Sequence, residues 1–248
     1  MGVQAKNNKD GGNNTLDVYE LKLKVYLLKD IANKDALNQI SKFIDEALSE
    51  NGHFLRLHQR NCYKNYTFCS FWPLEKDGVY KSDTIYTVVL RTIDTNLAIY
   101  FEKKLKDHFN DTIKGLNCET KIIPKHLIET IYSLTPVLLK DDRGYWKRYL
   151  SISEFEERVK VNLIKKYNVF SGEKVNEDFQ LYSTIRFLNR CPIKVPYKDI
   201  HLLGDKLELQ VAENPQAQEL IYMSLGTGLL ESNARGYGFV NYNWTRRG

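Results

Sequence analysis

The stretch Val18-Tyr19-Glu20-Leu21-Lys22-Leu23-Lys24-Val25-Tyr26-Leu27 alternates apolar and polar residues almost without a break. A period of two turns one face of the chain to a core and the other to water, so the segment is a half-buried strand. The period then changes. Ala36, Leu37, Ile40, Phe43, Ile44, Ala47 and Leu48 fall on one face of a helix that ends near Asn51-Gly52. Strand followed by helix is the first half of a split βαβ unit. Strand-like segments at 66–73 and 84–93 follow, with a turn at Lys76-Asp77-Gly78. Leu97, Phe101, Leu105 and Phe109 then mark a second helix before a strand near 116–123. The order βαββαβ is that of a ferredoxin-like domain.

Pro124 marks a boundary, after which the order repeats in looser form. Strands around 127–139 and 143–149 flank a turn at Asp141-Asp142, and a helix runs from about 152 to 168 behind the capping-box pattern Ser153-x-x-Glu156. Strands near 179–192 and 200–213 come next. A helix opens at Asn214-Pro215, with proline in its first turn, and Tyr237 to Trp244 alternates as a closing strand. The expected fold is α+β, two ferredoxin-like domains in tandem over residues 15–123 and 124–248. Residues 1–14, polar and rich in Gly and Asn, are expected to be a disordered tail.

At 248 residues, 42% hydrophobic and 27% charged, the composition is that of a soluble protein large enough for two small domains. The N-terminus lacks the apolar stretch of a signal peptide, and no segment approaches the length of a membrane span, so a cytoplasmic protein without membrane contact is expected. Cys62, Cys69, Cys118 and Cys191 form no C-x-x-C pair and the histidines no H-E-x-x-H, so no metal, cofactor or disulfide framework is implied. Asp141-Asp142 reads as a solvated turn. The net charge of +5 and pI near 8.8 suit an anionic partner without demanding one.

The run Gly226-Thr227-Gly228-Leu229-Leu230-Glu231-Ser232-Asn233-Ala234-Arg235-Gly236-Tyr237-Gly238-Phe239-Val240 places its glycines and one arginine between a helix and the last strand. Glycine lets a backbone approach a ligand with successive N–H groups facing one concavity, and Arg235 adds a planar charged fork for phosphate oxygens. It is neither a P-loop, since no Gly-Lys-Ser/Thr follows, nor a dinucleotide fingerprint, since the glycines close a helix rather than open one. The structural alternative is that Gly226 and Gly228 end a helix while Gly236 and Gly238 permit a tight turn. The pattern resembles the C-terminal glycine-rich loop of the CRISPR repeat-processing endoribonucleases. That resemblance marks Gly226, Gly228, Asn233, Arg235, Gly236 and Gly238 as RNA-binding.

Two further segments carry the same resemblance. One is Thr135-Pro136-Val137, at the entry to the second domain. The other is Leu57-His58-Gln59-Arg60-Asn61-Cys62-Tyr63-Lys64-Asn65-Tyr66-Thr67-Phe68, a polar, aromatic-rich connection after the first helix. There His58, with a lysine six residues on and then an aromatic-Thr-Phe strand, resembles the family's catalytic pair, which assigns His58 and Lys64. RNA carries its own nucleophile in the 2′-hydroxyl, so cleavage needs a base, an acid for the leaving 5′-oxygen, and a cation for the charged phosphorane. Histidine exchanges protons near neutrality and lysine stays charged, whichever acid or base step the histidine serves. His53 is the rival histidine. Some family members place a tyrosine on the first helix; Lys42 to Ala47 holds none, so either Tyr63 or Tyr66 takes part or no tyrosine is needed.

Arg186, Arg190, Lys194 and Lys198 recur at four-residue steps, which in a strand puts them on one face, and they resemble the basic hairpin with which the family holds repeat RNA. An edge strand guarded against aggregation is the structural alternative. By implication the protein cuts CRISPR precursor RNA within the repeat, without metal, leaving a 5′-hydroxyl and a 2′,3′-cyclic phosphate. Its expected partners are CRISPR repeat RNA and an antiviral effector complex. A non-catalytic repeat-RNA carrier is the alternative, and a generic tandem RRM protein lacks its aromatic strand motif here.

Overall fold

The computed structural model describes residues 15–60, 62–197 and 200–245, so the expected tail over residues 1–14 lies outside it. In chain order the elements are β1 (Tyr19–Leu27), β2 (Ile31–Ala32), α1 (Ala36–Ser49), α2 (Gly52–Gln59), β3 (Tyr66–Phe68), β4 (Val79–Tyr80), β5 (Ile85–Thr92), α3 (Thr95–Leu105) and β6 (Ile113–Ile122). The second half continues with β7 (Ile128–Ser133), α4 (Ile152–Ser171), β8 (Tyr182–Phe187), β9 (Ile193–Tyr197), β10 (Ile200–Gly204), β11 (Leu207–Val211), α5 (Pro215–Thr227) and β12 (Val240–Trp244). No helix among the described residues is long and apolar enough to cross a membrane.

The first sheet runs β3-β5-β1-β6 and the second β12-β7-β11-β8, with every pairing antiparallel. Both are the ferredoxin order, so the tandem ferredoxin-like architecture holds. Alternation in β1 buries Leu21, Leu23, Val25 and Leu27, which share a core with Ile40, Phe43 and Ile44 of α1 and with Phe101 of α3. In the second half Ile131, Leu207 and Leu209 meet Phe155, Val159 and Leu163 of α4 and Leu220 and Ile221 of α5. The β9–β10 hairpin is an insertion between the second and third strands of that domain.

Several boundaries differ from the sequence reading, each for a local reason. The first helix ends at Ser49, near Asn51-Gly52 as expected, but the Asn51 side chain accepts from the N–H groups of His53 and Phe54 and starts α2, so His58 lies on a helix rather than in a loop. The segment 143–149 is no strand but a single 3-10 turn at Trp146–Arg148. Trp146 there stacks on Phe155 and donates to the buried Asp205 carboxylate at 2.8 Å. The capping box uses Ser151 and Glu154, two residues before the expected pair. The expected strand at 200–213 is two, β10 and β11, and Phe109 falls beyond α3, exposed.

The two sheets are not independent. Leu16, Val18, Ile93 and Ile123 from the first half are buried in the core of the second. The Tyr222 hydroxyl on α5 donates to the Ile123 carbonyl at 2.5 Å and accepts the Val18 N–H at 3.1 Å. Arg91 of β5, 4% exposed, donates through Nε to Glu20 Oε2 at 2.9 Å, through Nη1 to the Val240 carbonyl at 2.7 Å and through Nη2 to Asn241 Oδ1 at 3.3 Å. Burial works to raise the Glu20 carboxyl, but Arg91, with help from Lys121, holds it below the usual range. Removing one partner of a buried ion pair strands the other, which costs about 3–5 kcal/mol. Arg91→Met is therefore expected to lower unfolding stability by about 3 kcal/mol, the lower end because Lys121 still reaches Glu20 at 3.2 Å. Urea unfolding followed by far-UV circular dichroism measures it, and a loss below about 1 kcal/mol would remove Arg91 as the clamp between the sheets.

Candidate nucleic-acid interface

The glycine-rich segment is folded into the seam between the domains. Gly228, Gly236 and Gly238 take φ of +72°, +83° and +69°, and Leu230 and Ser232 are also left-handed. A Cβ at Gly236 would stand 2.6 Å from Phe68 Cε2, and one at Gly238 2.2 Å from the Leu229 carbonyl oxygen, so neither position accepts a side chain. Gly226 lies inside α5, pressed against Ile93 and Thr92 of the first domain. The N–H groups of Gly228, Leu229, Gly236 and Gly238 donate to Ser224, Gly238, Asn233 and Pro136 carbonyls respectively. These N–H groups therefore face inward, to the protein's own carbonyls, and do not form the open cradle that the glycine spacing suggests. Asn233 is engaged inside as well: Nδ2 donates to the Leu229 and Tyr237 carbonyls, both at 2.9 Å.

The segment instead presents Arg235. It ends a 3-10 turn over Asn233–Arg235, half exposed, with its guanidinium carbon 5.3 Å from the Tyr197 ring centre. It borders three cavities. One of about 360 Å³ runs along α1 with Asn38, Ser41, Asp45 and Leu55. One of about 120 Å³ reaches Pro196 and Tyr197 of the hairpin. The third, about 260 Å³, holds Tyr63, Lys64, Lys140, Lys166 and Glu231.

His58 is the penultimate residue of α2, one turn beyond Leu55. His53 sits in the first turn of α2, at the opposite end from Lys64. Lys64 Nζ donates to the Leu57 carbonyl at 2.6 Å and to the Arg60 carbonyl, capping the end of α2 with a positive charge. Lys64 is thus tied to the backbone of the helix turn that contains His58. Tyr66, buried in β3, has its phenol pushed well above the usual range by burial and by the charge of Asp45.

The four-residue basic stripe does not lie on one strand. Arg186 is in β8, paired with Glu208 directly across on β11 at 2.8 Å, and Arg190 is in the exposed turn that follows. Lys194 is on β9, and Lys198 lies outside the described residues. Spacing alone misses the break at Asn189, whose Nδ2 donates to Asp205 at 2.9 Å and turns the chain. Lys194 faces a cleft of about 820 Å³ between the sheets, together with Lys34, Lys206, Trp72, Phe71 and Tyr242.

Lys166 was missed. It follows Phe155 by eleven residues, three helical turns, and so falls on the apolar face of α4, the one signal in the sequence. It is 3% exposed and donates to the Gly228 carbonyl and Asn233 Oδ1, each at 2.8 Å.

Two ferredoxin-like domains that share a core and clamp a glycine-rich segment in their seam define the class. Residues 117–242, more than half of the chain, match the family model "CRISPR associated protein Cas6, C-terminal", and the chain belongs to the Cas6 family. Its fold is similar to a structure described as "CRISPR associated protein Cas6", with a TM-score of 0.65 at 20% identity over 91% of this chain and 99% of that one. It is similar to "An RAMP protein binding different RNA substrates", with a TM-score of 0.69 at 15% identity over 91% and 99%. It is also similar to the product of a Cas6-related gene from Pyrococcus furiosus, with a TM-score of 0.64 at 16% identity over 93% and 100%. No curated protein matches the chain in sequence.

Burial pulls the Lys166 ammonium down to about 7, with the charge of Glu231 a smaller opposing influence. Between that value and the unfolded value of 10.5 the unfolded chain binds more protons, so this group makes stability rise with pH from about 7 to about 10. The difference in stability between the unmodified protein and Lys166→Met is expected to move in favour of the unmodified protein by up to about 1.4 kcal/mol per pH unit over that window. Urea midpoints at pH 7 and 9.5 check it; a pH-independent difference would show that Lys166 keeps an ordinary pKa.

Proposed function

We propose that this Cas6-family chain binds CRISPR repeat RNA and cuts it with no metal, by attack of a 2′-hydroxyl on the adjacent phosphate. One observation carries the reading: Lys64, bonded to the backbone of the helix turn that bears His58, lines the same cavity as Arg235. His58 moves the proton, taking it from the 2′-hydroxyl or giving it to the leaving 5′-oxygen. As the 2′-oxygen bonds to phosphorus, the bond to the 5′-oxygen breaks, giving a 2′,3′-cyclic phosphate and a 5′-hydroxyl. No water is consumed in that step. Lys64 and Arg235 offset the charge that grows on the phosphoryl oxygens.

The remaining basic and aromatic groups hold the strand. Arg190 and Lys194 are fit for phosphate contacts, and the cleft with the exposed Trp72 and the half-buried Tyr242 is fit for stacked, unpaired bases. The glycines act by letting the loop seat Arg235 rather than by cradling phosphate. Delivery of the bound RNA to an antiviral effector complex, in the cytoplasm, completes the reading.

The test is incubation of the purified protein in EDTA with repeat RNA, either unmodified or carrying a 2′-deoxy nucleotide at the cut site. A single cut that the deoxy substitution abolishes is expected, with His58→Ala slower by about 10²–10⁴-fold. Tight binding with no cut of the unmodified RNA would overturn the nuclease reading and leave a repeat-RNA carrier.

A further inference from the structure

Lys166 is the one lysine set into the apolar face of α4, among Phe155, Val159, Leu163 and Ile164. A hydrocarbon side chain would fill that place without the cost of taking a charge out of water. The ammonium has three donors, and its acceptors all belong to one segment: the Gly228 carbonyl and Asn233 Oδ1 at 2.8 Å, and the Thr227 carbonyl at 3.5 Å. Asn233 extends the link, since its Nδ2 joins the Leu229 and Tyr237 carbonyls. One buried side chain thus ties the last turn of α5 to the far side of the loop.

The pinned residue is two positions from Arg235, in the same single 3-10 turn. Where Asn233 is held, the guanidinium of Arg235 is aimed. Among the other bonds of the turn, Arg235 N–H to the Ser232 carbonyl and Gly236 N–H to the Asn233 carbonyl are short-range and fix its shape, while Ser41 of α1 reaches the Ala234 carbonyl at a long 3.5 Å. The shorter and charged contact from outside the loop comes from α4, through Lys166 to Asn233 at 2.8 Å.

We propose that Lys166 is a positioning residue for RNA cleavage, acting through Asn233 to set where Arg235 meets the phosphate backbone. The inference deepens the proposed nuclease reading and rests on it. A displacement of about 1 Å in a charge-stabilising group can cost about 10²-fold in rate, which sets the scale of the effect.

The experiment is a double-mutant cycle read by single-turnover cleavage of repeat RNA at saturating protein, with Lys166→Met, Arg235→Ala and the pair. Lys166→Met is expected to slow cleavage by about 10–100-fold and to change the rate less than about 2-fold in the Arg235→Ala background, the mark of two residues acting as one unit. Multiplying losses would overturn the proposal, because a lysine that only stabilises the fold stays indifferent to Arg235. Hydrogen exchange gives a second reading, with faster exchange over 227–238 expected in Lys166→Met and not in Arg235→Ala; unchanged exchange would also overturn it. Should Lys166→Met not fold, Asn233→Ala takes its place in the same cycle with the same two outcomes. Should the unmodified protein bind the repeat without cutting it, the nuclease reading fails. The cycle is then read on the RNA dissociation constant, where non-additivity supports the pin and additivity overturns it.

Discussion

Arg91 is a buried charge that neither domain satisfies alone. Its own sheet supplies Glu20, and the remaining donors find the Val240 carbonyl and Asn241 only when β12 is packed against β5. An unmet guanidinium in that place costs several kcal/mol, so the two sheets are held in one relative position rather than hinged freely. The ring of Phe239, 4.6 Å from the guanidinium carbon, closes the site from the loop side. Everything in the seam, including the cleft between the sheets and the seat of the glycine-rich segment, follows from that fixed approach.

Seen from the seam, the glycines answer a packing demand. Gly226 lets α5 come against Ile93 and Thr92, and Gly236 lets the loop pass over Phe68 and Leu37. A tight loop with so many left-handed residues would be costly by itself. Internal hydrogen bonds, the buried Leu229 and Leu230, and the Asn233–Lys166 pair offset that cost and leave one conformation. A loop of this kind is rigid, and a rigid loop is what a single arginine needs to offer its charge at a defined point.

The proposed chemistry sits where two such pieces meet. From the first domain comes a short helix whose start is fixed by Asn51 and whose end is tied by Lys64. From the second comes the turn that carries Arg235. Lys64 from the first domain and Arg235 from the second line one cavity, with Asp45, Glu46 and Glu231 also on the walls nearby, and that arrangement exists only because the domains share a core.

Much of this was legible in the sequence. The period-two run of β1 and the 3.6 period of α1 state their own structure, because side-chain direction depends on local backbone geometry alone; from them the doubled ferredoxin order follows. The glycine-rich run and the six-residue spacing from His58 to Lys64 were visible as patterns of residue type and spacing. Tertiary structure decided what those patterns do. Local sequence does not reveal that the Gly238 N–H turns inward to the Pro136 carbonyl or that Asn189 breaks the basic stripe at Asp205, since each depends on a partner elsewhere along the chain. Lys166 and Arg91 were the least legible, because a lysine or arginine reads as a surface residue until the fold shows which buried oxygens surround it.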